Sequence, residues 1–321
     1  MTIAGIMQPI ETDLHRVRET MSKVLQQRGT HAVLLQSKAY AFDDGKLLRP
    51  AIVLHCGRAL GASINTLVYA AATVELLHIA TLIHDDVVDN ASVRRGKPTL
   101  KETMGNKFAV LGGDFCLANS LRCAAKLGSC AVLELGEAVV KVIEGELMQA
   151  TSTHNFDMTL EEYVERVAGK TGAIFSLSMR LAAVAAGAPH TIRALAGQFG
   201  HYLGIVFQMR DDYLDIFGTS QSLGKPVAND LVQGNITLPL MLAHRRQPDQ
   251  TLRGRVTNGE FSASDLPAIR KWVSDSGAED ELLQIMQHYA DLALAALCCL
   301  PPGESRDALS ACVEVAITRK R

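Results

Sequence analysis

The chain has 321 residues, and its 34 acidic side chains against 32 basic ones leave a formal net charge of −2. This balance argues against a nucleic-acid-binding protein, because such proteins usually present a basic surface. Hydrophobic residues make up 48% of the chain but aromatic residues only 5%. We therefore expect a large core of aliphatic side chains, which suits packed helices better than sheets.

Cysteine usage and the N-terminal segment predict a soluble protein of the cytoplasm. The seven cysteines are odd in number and include no C-x-x-C pair, which predicts unpaired thiols in a reducing compartment. Glu11 and Asp13 interrupt the N-terminal segment, so we expect no signal peptide. The most apolar stretch, residues 171–187, contains Arg180, so we expect no transmembrane helix.

Apolar residues recur with helical spacing, and no segment alternates convincingly as a strand would. Thr159 and Glu162 form the capping-box pattern that marks a helix start. No linker or repeat divides the sequence, so we predict one all-α domain over residues 1–321. The predicted helices span residues 11–28, 47–60, 65–88, 107–127, 131–151, 159–187, 191–217, 238–246, 262–274, 278–300 and 305–318.

The sharpest local feature is an acidic cluster at the end of the apolar helix predicted at 65–88. Asp85 and Asp89 are four residues apart and therefore share one helix face. Two carboxylates on one face repel each other unless a cation lies between them. Oxygen-only ligands suit Mg²⁺, which takes one or two carboxylates together with waters and substrate phosphates.

A second cluster with the same D-D-x-x-D spacing, Asp211, Asp212 and Asp215, ends the helix predicted at 191–217. One such cluster is as well explained by a solvated acidic face, but two copies ending two buried helices favour a paired metal–diphosphate site. A site of this kind also needs compact positive charge. Basic residues near the clusters are Lys46, Arg49, Arg94, Arg95, Lys97, Lys170 and Lys225.

With these residues in view, the sequence resembles the trans-prenyl (polyprenyl) diphosphate synthases, and it looks closest to the octaprenyl and heptaprenyl members. The resemblance covers roughly residues 45–239. Its first motif comprises Glu75-x-x-His78, His84-Asp85-Asp86-x-x-Asp89 and Arg94-Arg95-Gly96. Its second comprises Phe207-Gln208-x-x-Asp211-Asp212-x-x-Asp215, followed by Gly224-Lys225-x-x-x-x-Asp230-Leu231-x-x-Gly234-x-x-Thr237-Leu238-Pro239.

The resemblance implies an isoprenoid-synthase-type helical bundle around a central elongation cavity, and usually a homodimer. In such enzymes an allylic diphosphate, farnesyl or geranyl, ionises and isopentenyl diphosphate attacks the carbocation. Asp85 and Asp89 are implied to hold two Mg²⁺ ions and Asp211 a third, with Asp215 in support. The residues implied to be catalytic are Asp85, Asp89, Asp211, Lys170, Gln208 and Lys225.

The resemblance also implies which residues bind the two diphosphates. Arg94, Lys170 and Lys225, with Thr171 beside them, are implied to bind the allylic diphosphate. Isopentenyl diphosphate is assigned to Lys46, Arg49, His78 and Arg95. Gln208 and the carbonyl of Lys170 are implied to face the developing cation. The chain has Asn235 where many members have Lys, which removes one possible diphosphate contact.

Product length in this family depends on side-chain size along the cavity. Short-chain members usually carry bulky residues one turn before the first motif, where this chain has Ala80 and Thr81. Further along the cavity, Cys123 and Ala124 are also small. We therefore expect a long-chain product, octaprenyl diphosphate by preference, for a quinone side chain.

Four alternatives remain open at the level of sequence. The product could be shorter, geranylgeranyl or farnesyl diphosphate, or the chain could be the catalytic half of a heteromeric heptaprenyl synthase. A terpene cyclase also uses an Asp-rich helix and Mg²⁺, but it typically replaces the second motif by a mixed Asn/Ser/Glu one. A non-enzymatic subunit often lacks an Asp motif, whereas both are present here.

Overall fold

The computed structural model describes residues 2–26, 47–94, 96–218 and 228–319. These ranges are almost entirely helical, and their strands form only a two-residue antiparallel hairpin of β1 (Val93–Arg94) and β2 (Lys97–Pro98). The all-α prediction is confirmed. In chain order the helices are α1 Ile3–Met7, α2 Glu11–Leu25, α3 Leu48–Ala59, α4 Ile64–Val88, α5 Leu100–Met104, α6 Asn106–Ala125, α7 Ser129–Thr151, α8 Leu160–Val167, α9 Ala173–Ala185, α10 His190–Phe217, α11 Asn229–Val232, α12 Leu238–Arg246, α13 Gln250–Thr257, α14 Leu266–Asp275, α15 Ala278–Ala296 and α16 Glu304–Thr318.

Helix α4 is the central element on which the first acidic cluster lies. The Ser63 side chain caps its start by accepting a hydrogen bond from the main-chain N–H of Asn65. Apolar residues cover nearly every face, so α2, α3, α6 and α9 can all pack against it. The helix ends at Val88, and its last turn carries Asp85.

Helix α10 is the second long core helix, and it packs against α9, α15 and α16. It begins at His190, directly after Pro189, and ends at Phe217. The second acidic cluster lies in its last two turns. Both clusters therefore end long helices whose middles are buried in the core.

A π-helical turn, Ala168–Gly172, connects α8 to α9 and lies between α7 and α10. Glycines make this close approach possible. A Cβ built on Gly145 of α7 would lie 2.6 Å from the main-chain nitrogen of Lys170, and one on Gly204 of α10 would lie 2.6 Å from Cα of Gly172. Turns of this type are frequent at functional sites, and this one carries Lys170 and Thr171.

Most predicted helices agree with the structure to within about three residues. The capping box at Thr159 is confirmed, with both reciprocal hydrogen bonds to Glu162 present. The run predicted at 159–187 is divided by the π-helical turn. Helices α1, α5, α11 and α13 were not predicted. The first three have only four or five residues each, and α13 has one buried residue, Val256, and no apolar stripe.

Among the residues that the structure describes, two helices are long and apolar enough to cross a membrane by length and composition, which the sequence prediction did not recognise. They are Ile64–Val88, whose apolar window is 72% buried inside the protein, and Ala278–Cys299, whose window is 33% buried. The burial of Ile64–Val88 is that of a core helix in a folded domain.

Candidate active site

The first acidic cluster divides its carboxylates between the buried core and a partly exposed face of α4. Asp86 is 1% exposed and accepts a hydrogen bond from Nε of Arg94 at 2.7 Å. Asp85 and Asp89 are partly exposed on the shared face. Arg94 thus lies beside the first acidic face and forms an ion pair with Asp86, the middle carboxylate of the cluster.

Lys170 joins the first cluster from the π-helical turn. Its Nζ lies 2.7 Å from Oε1 of Glu146 on α7. Burial acts to lower the pKa of Lys170, but Asp85 and Glu146 outweigh that effect and the pKa is raised. The ammonium group therefore stays charged beside the two carboxylates of the first face.

The first face carries more negative charge than its surroundings balance. Burial raises the pKa of Asp85 from 3.8 to about 7; Lys170 opposes this shift, and Glu146 and Asp89 reinforce it. Burial likewise raises the pKa of Asp89. A cation at this face would stabilise the ionised forms of Asp85 and Asp89, as expected for carboxylates placed to bind a cation.

The second cluster is held by the C-terminal end of the described chain. Arg319 donates to Oδ1 of Asp211 at 2.6 Å and to the carbonyl of Phe207 at 2.8 Å. Its guanidinium carbon also lies 3.6 Å from the centre of the Phe207 ring. Arg210 donates in turn to the carbonyl of Arg319. The carboxylate predicted to bind a metal is therefore paired with a buried cation.

Asp212, the middle residue of the second cluster, is 3% exposed and accepts two hydrogen bonds. The Tyr163 hydroxyl donates to Oδ2 at 2.6 Å, and Nε2 of Gln208 donates to Oδ1 at 2.8 Å. Burial, followed by the charge of Asp230, raises the pKa of Asp212 to about 7, and the two hydrogen bonds act against this shift.

Gln208 connects the two clusters. Its Oε1 accepts a hydrogen bond from the Thr171 hydroxyl at 2.7 Å. Thr171 follows Lys170, whose charge acts on both Asp85 and Asp89. The structure thus brings together the two acidic helix ends and the predicted pair Lys170–Thr171.

Asp215 has a different position from the other predicted metal ligands. It is 2% exposed, and its Oδ2 accepts a hydrogen bond from the main-chain nitrogen of Asp230 at 3.2 Å. Its main-chain carbonyl accepts another from Ala228. Asp215 therefore positions residues 228–230, and this brings the charge of Asp230 near both Asp89 and Asp212.

The residues predicted to bind isopentenyl diphosphate are described in part. Nη1 of Arg49 lies 3.1 Å from Nε2 of His78, and the guanidinium carbon lies 4.8 Å from the centre of the Phe175 ring. This predicted pair is brought together. Lys46, Arg95 and Lys225 lie outside the described residues, so their roles stay predictions.

The four predicted chain-length residues lie on two helices that pack side by side, α4 and α6. Gly113 of α6 faces His84, and the Ser120 hydroxyl donates to the carbonyl of Thr73 at 2.8 Å, so the helices run antiparallel. Cys123 and Ala124 therefore lie about 10 Å or more farther from the first acidic face than Ala80 does. Ala80, Cys123 and Ala124 are buried, and Thr81 is partly exposed.

A separate groove of about 1030 Å³ lies against the other side of α7, α8 and α9. Glu137, Lys141, Arg180, His201 and Tyr289 are among the residues that line it. None of the residues predicted to bind substrate or to set product length lies on it. It is therefore a different space from the predicted elongation cavity.

The carboxylate donors of the acidic clusters fit Mg²⁺. Within residues 2–26, 47–94, 96–218 and 228–319, no group of three His, Cys, Asp or Glu side chains lies close enough to hold a metal ion. Mg²⁺ characteristically binds one or two carboxylates and completes its coordination with waters and substrate phosphates. Pairs of carboxylates such as Asp85 and Asp89 supply that part of the coordination.

Comparison with known proteins shows the family to which this chain belongs. The polyprenyl synthetase family model matches residues 31–272 of the chain. The chain belongs to the polyprenyl synthetase family. This confirms the resemblance to trans-prenyl diphosphate synthases, which are prenyltransferases, and with it the all-α fold of that group.

Relatives of this family member differ in the product that they are named for. Component 2 of the heptaprenyl diphosphate synthase of Bacillus subtilis is 34% identical over 312 residues, 97% of this chain and 87% of that protein. The octaprenyl diphosphate synthase of Escherichia coli is 34% identical over 304 residues, 93% of this chain and 94% of that protein.

A solved structure matches along the full chain. The polyprenyl synthase from Caulobacter crescentus, crystallised with calcium and isoprenyl diphosphate, superposes with a TM-score of 0.92 at 31% identity. The match covers 100% of this chain and 98% of that one. The family assignment therefore rests on sequence and on three-dimensional structure.

Four residues at the site were not predicted to have a role there: Glu146, Tyr163, Asp230 and Arg319. Glu146 and Tyr163 lie on helices far along the chain from the motifs that they contact, so only the fold brings them to the site. Asp230 carried a signal, because it belongs to the segment that resembles the family. Arg319 follows the last helix, where the resemblance had ended.

Proposed function

We propose that this protein condenses isopentenyl diphosphate with an allylic diphosphate, farnesyl or geranyl, in a Mg²⁺-dependent reaction that yields a long-chain all-trans polyprenyl diphosphate. Octaprenyl diphosphate is the favoured product, for a quinone side chain. The observation that carries the proposal is that two acidic helix ends meet at Lys170–Thr171. On α4, the residue about one turn before the first acidic cluster is the small Ala80.

The chain's own residues supply binding and orientation. Lys170 and Arg94, both at the first acidic face, bind the allylic diphosphate together with Lys225. Arg49 and His78, 3.1 Å apart, bind isopentenyl diphosphate together with Lys46 and Arg95. Gln208 and the carbonyl of Lys170 face the developing cation, and the surrounding aliphatic core excludes water.

The metal requirement is part of the proposal. Three Mg²⁺ ions bind with the diphosphate, two of them at Asp85 and Asp89 and one at Asp211, with Asp215 in support. The chemistry supplied by bound Mg²⁺ is neutralisation of charge on the leaving diphosphate. The raised pKa of Asp85 supports this assignment, because burial, with Glu146 and Asp89 nearby, makes its ionised form costly without a bound cation.

The enzyme acts in the cytoplasm as a homodimer. Support for the dimer comes from α6 and α7, whose outer faces expose large apolar side chains although both helices pack on the core. These side chains are Phe108, Val110, Leu111, Leu121, Leu133, Val140, Ile143 and Leu147. The same surface would serve the alternative, in which the chain pairs with a different subunit, as the name of the Bacillus subtilis relative suggests.

The test is to incubate the purified protein with farnesyl diphosphate, isopentenyl diphosphate and Mg²⁺, and to size the dephosphorylated product by mass spectrometry. The proposal predicts an octaprenyl product from a protein that elutes as a dimer. A geranylgeranyl product would support the short-chain alternative. No product from the protein alone would favour the heteromeric one.

A further inference from the structure

Four side chains from three elements form a continuous chain of hydrogen bonds across the site. The Tyr163 hydroxyl on α8 donates to Asp212, which also accepts from the amide nitrogen of Gln208. The amide oxygen of Gln208 accepts from the Thr171 hydroxyl on the π-helical turn. The three bonds are 2.6, 2.8 and 2.7 Å long.

Asp212 decides which end of the Gln208 amide faces which neighbour. Asp212 accepts one hydrogen bond at each of its two carboxyl oxygens, whereas an amide has a donor end and an acceptor end of nearly the same shape. With the Tyr163 hydroxyl on one oxygen of Asp212, the nitrogen of Gln208 points to the other, and the oxygen of Gln208 points to Thr171. A flipped amide would place two oxygens against each other at Asp212.

Tyr163 holds Asp212 in that role. The carboxylate is 3% exposed and lies near the negative charge of Asp230, so each donated hydrogen bond matters for keeping it in place. Tyr163 is itself fully buried. Its ring lies 5.4 Å from the guanidinium carbon of Arg166, which donates to the carbonyl of Ile236 at 3.0 Å.

We propose that Tyr163 is a positioning residue, which acts through Asp212 to keep the oxygen end of the Gln208 amide turned toward Thr171 and the reaction cavity. The oxygen end carries the negative pole of the amide dipole and favours a developing carbocation, whereas the N–H end disfavours one. The inference rests on the role of Gln208 in the proposed function. It does not depend on product length.

A double-mutant cycle tests the proposal with Tyr163→Phe, Gln208→Ala and the double variant. We expect Tyr163→Phe to lower kcat roughly tenfold and to leave KM for isopentenyl diphosphate within about twofold. In the Gln208→Ala background the same change should alter kcat by less than about twofold, because its route of action is gone. An equal loss in both backgrounds would overturn the proposal, as would normal activity of Tyr163→Phe.

The matched control is Tyr213→Phe, which also removes a 2.6 Å hydrogen bond from a tyrosine to a carboxylate, in that case Glu279 of α15. We expect its kcat to stay near that of the wild type, and a loss as large as that of Tyr163→Phe would contradict a specific role. Thermal unfolding of each variant separates lost activity from lost fold.

Should Tyr163→Phe fail to fold, Asp212→Asn takes its place in the cycle. An asparagine offers an N–H as well as an oxygen, so it no longer determines the orientation of Gln208. The loss of kcat caused by Asp212→Asn should therefore vanish in the Gln208→Ala background. Additive losses would overturn the proposal. Full activity of Gln208→Ala would instead refute the assigned role of Gln208, and an inactive wild type would refute the proposed function.

Discussion

The guanidinium of Arg319 lies 2.6 Å from Oδ1 of Asp211, so the end of the described chain neutralises a carboxylate that the proposed mechanism uses for metal binding. A metal ion bound to Asp211 would repel the guanidinium, because both cations would share one carboxylate. Because Arg319 is 10% exposed and also binds Phe207, releasing it disturbs the packing of the last helix on α10. We therefore expect metal–diphosphate binding and the position of Arg319 to be linked.

We predict that Arg319→Gln destabilises the ligand-free protein by about 1.5–3 kcal/mol, the range for hydrogen bonds to charged groups. Mg²⁺ with pyrophosphate should reduce the difference in stability between the wild type and Arg319→Gln, because metal binding is expected to break the Arg319–Asp211 ion pair of the wild type. Thermal unfolding with and without both ligands measures the effect. If the ligands leave this difference in stability unchanged, Arg319 and the metal do not compete for Asp211. Arg253→Gln, which removes the partner of the exposed Asp157, is the control.

We predict that Asp85→Asn stabilises the ligand-free protein at pH 8. Burial raises the pKa of Asp85 from 3.8 to about 7 in the folded state, so its contribution to stability is present below pH 3.8 and is lost as the pH rises through 7. Above pH 7 the negative charge of the partly buried Asp85 opposes folding, and an uncharged asparagine does not.

The melting temperature of Asp85→Asn should exceed that of the wild type by about 2 °C or more at pH 8, and the difference should shrink toward pH 4. Saturating Mg²⁺ and pyrophosphate should reverse it at pH 8, because only the carboxylate binds the metal. Asp157→Asn on the surface is the control. If the difference in melting temperature does not change with pH, burial does not disfavour the ionised form of Asp85.

We predict that Ala80→Phe and Cys123→Phe both shorten the product, and that Ala80→Phe shortens it more. The reason is that position 123 lies about 10 Å or more farther from the first acidic face along α4. Chromatography of the dephosphorylated products gives the chain lengths, and Leu283→Phe on the exposed side of α15 is the control. Identical products from both variants would place the floor of the cavity elsewhere.

The helices and the two acidic faces could be predicted because their signals are local. Spacing alone places Asp85 and Asp89 on one face, and a long apolar run such as Ile64–Val88 can only be a buried helix or a membrane span. The capping box at Thr159 fixed a helix start to the residue. Helix α13 escaped prediction because a polar helix with one buried residue has no periodic pattern.

The partners of the motif residues could not be predicted, because they come from distant positions in the chain. Glu146 contacts Lys170 because Gly145, which has no side chain, lets α7 pack closely against the π-helical turn. Tyr163 reaches Asp212 across 49 positions of sequence, and Arg319 reaches Asp211 across 108. Such pairings depend on how helices pack, and no spacing rule within one helix encodes them.

The most direct test of the central claim is the rate of condensation of farnesyl and isopentenyl diphosphates by the wild type and by Asp85→Ala. The wild type should require Mg²⁺ and lose activity with a chelator. Asp85→Ala should be folded but slower by on the order of 100-fold or more, since several kcal/mol of charge stabilisation is lost, while Asp157→Ala keeps full activity. Near-normal turnover by folded Asp85→Ala would contradict the two-face mechanism.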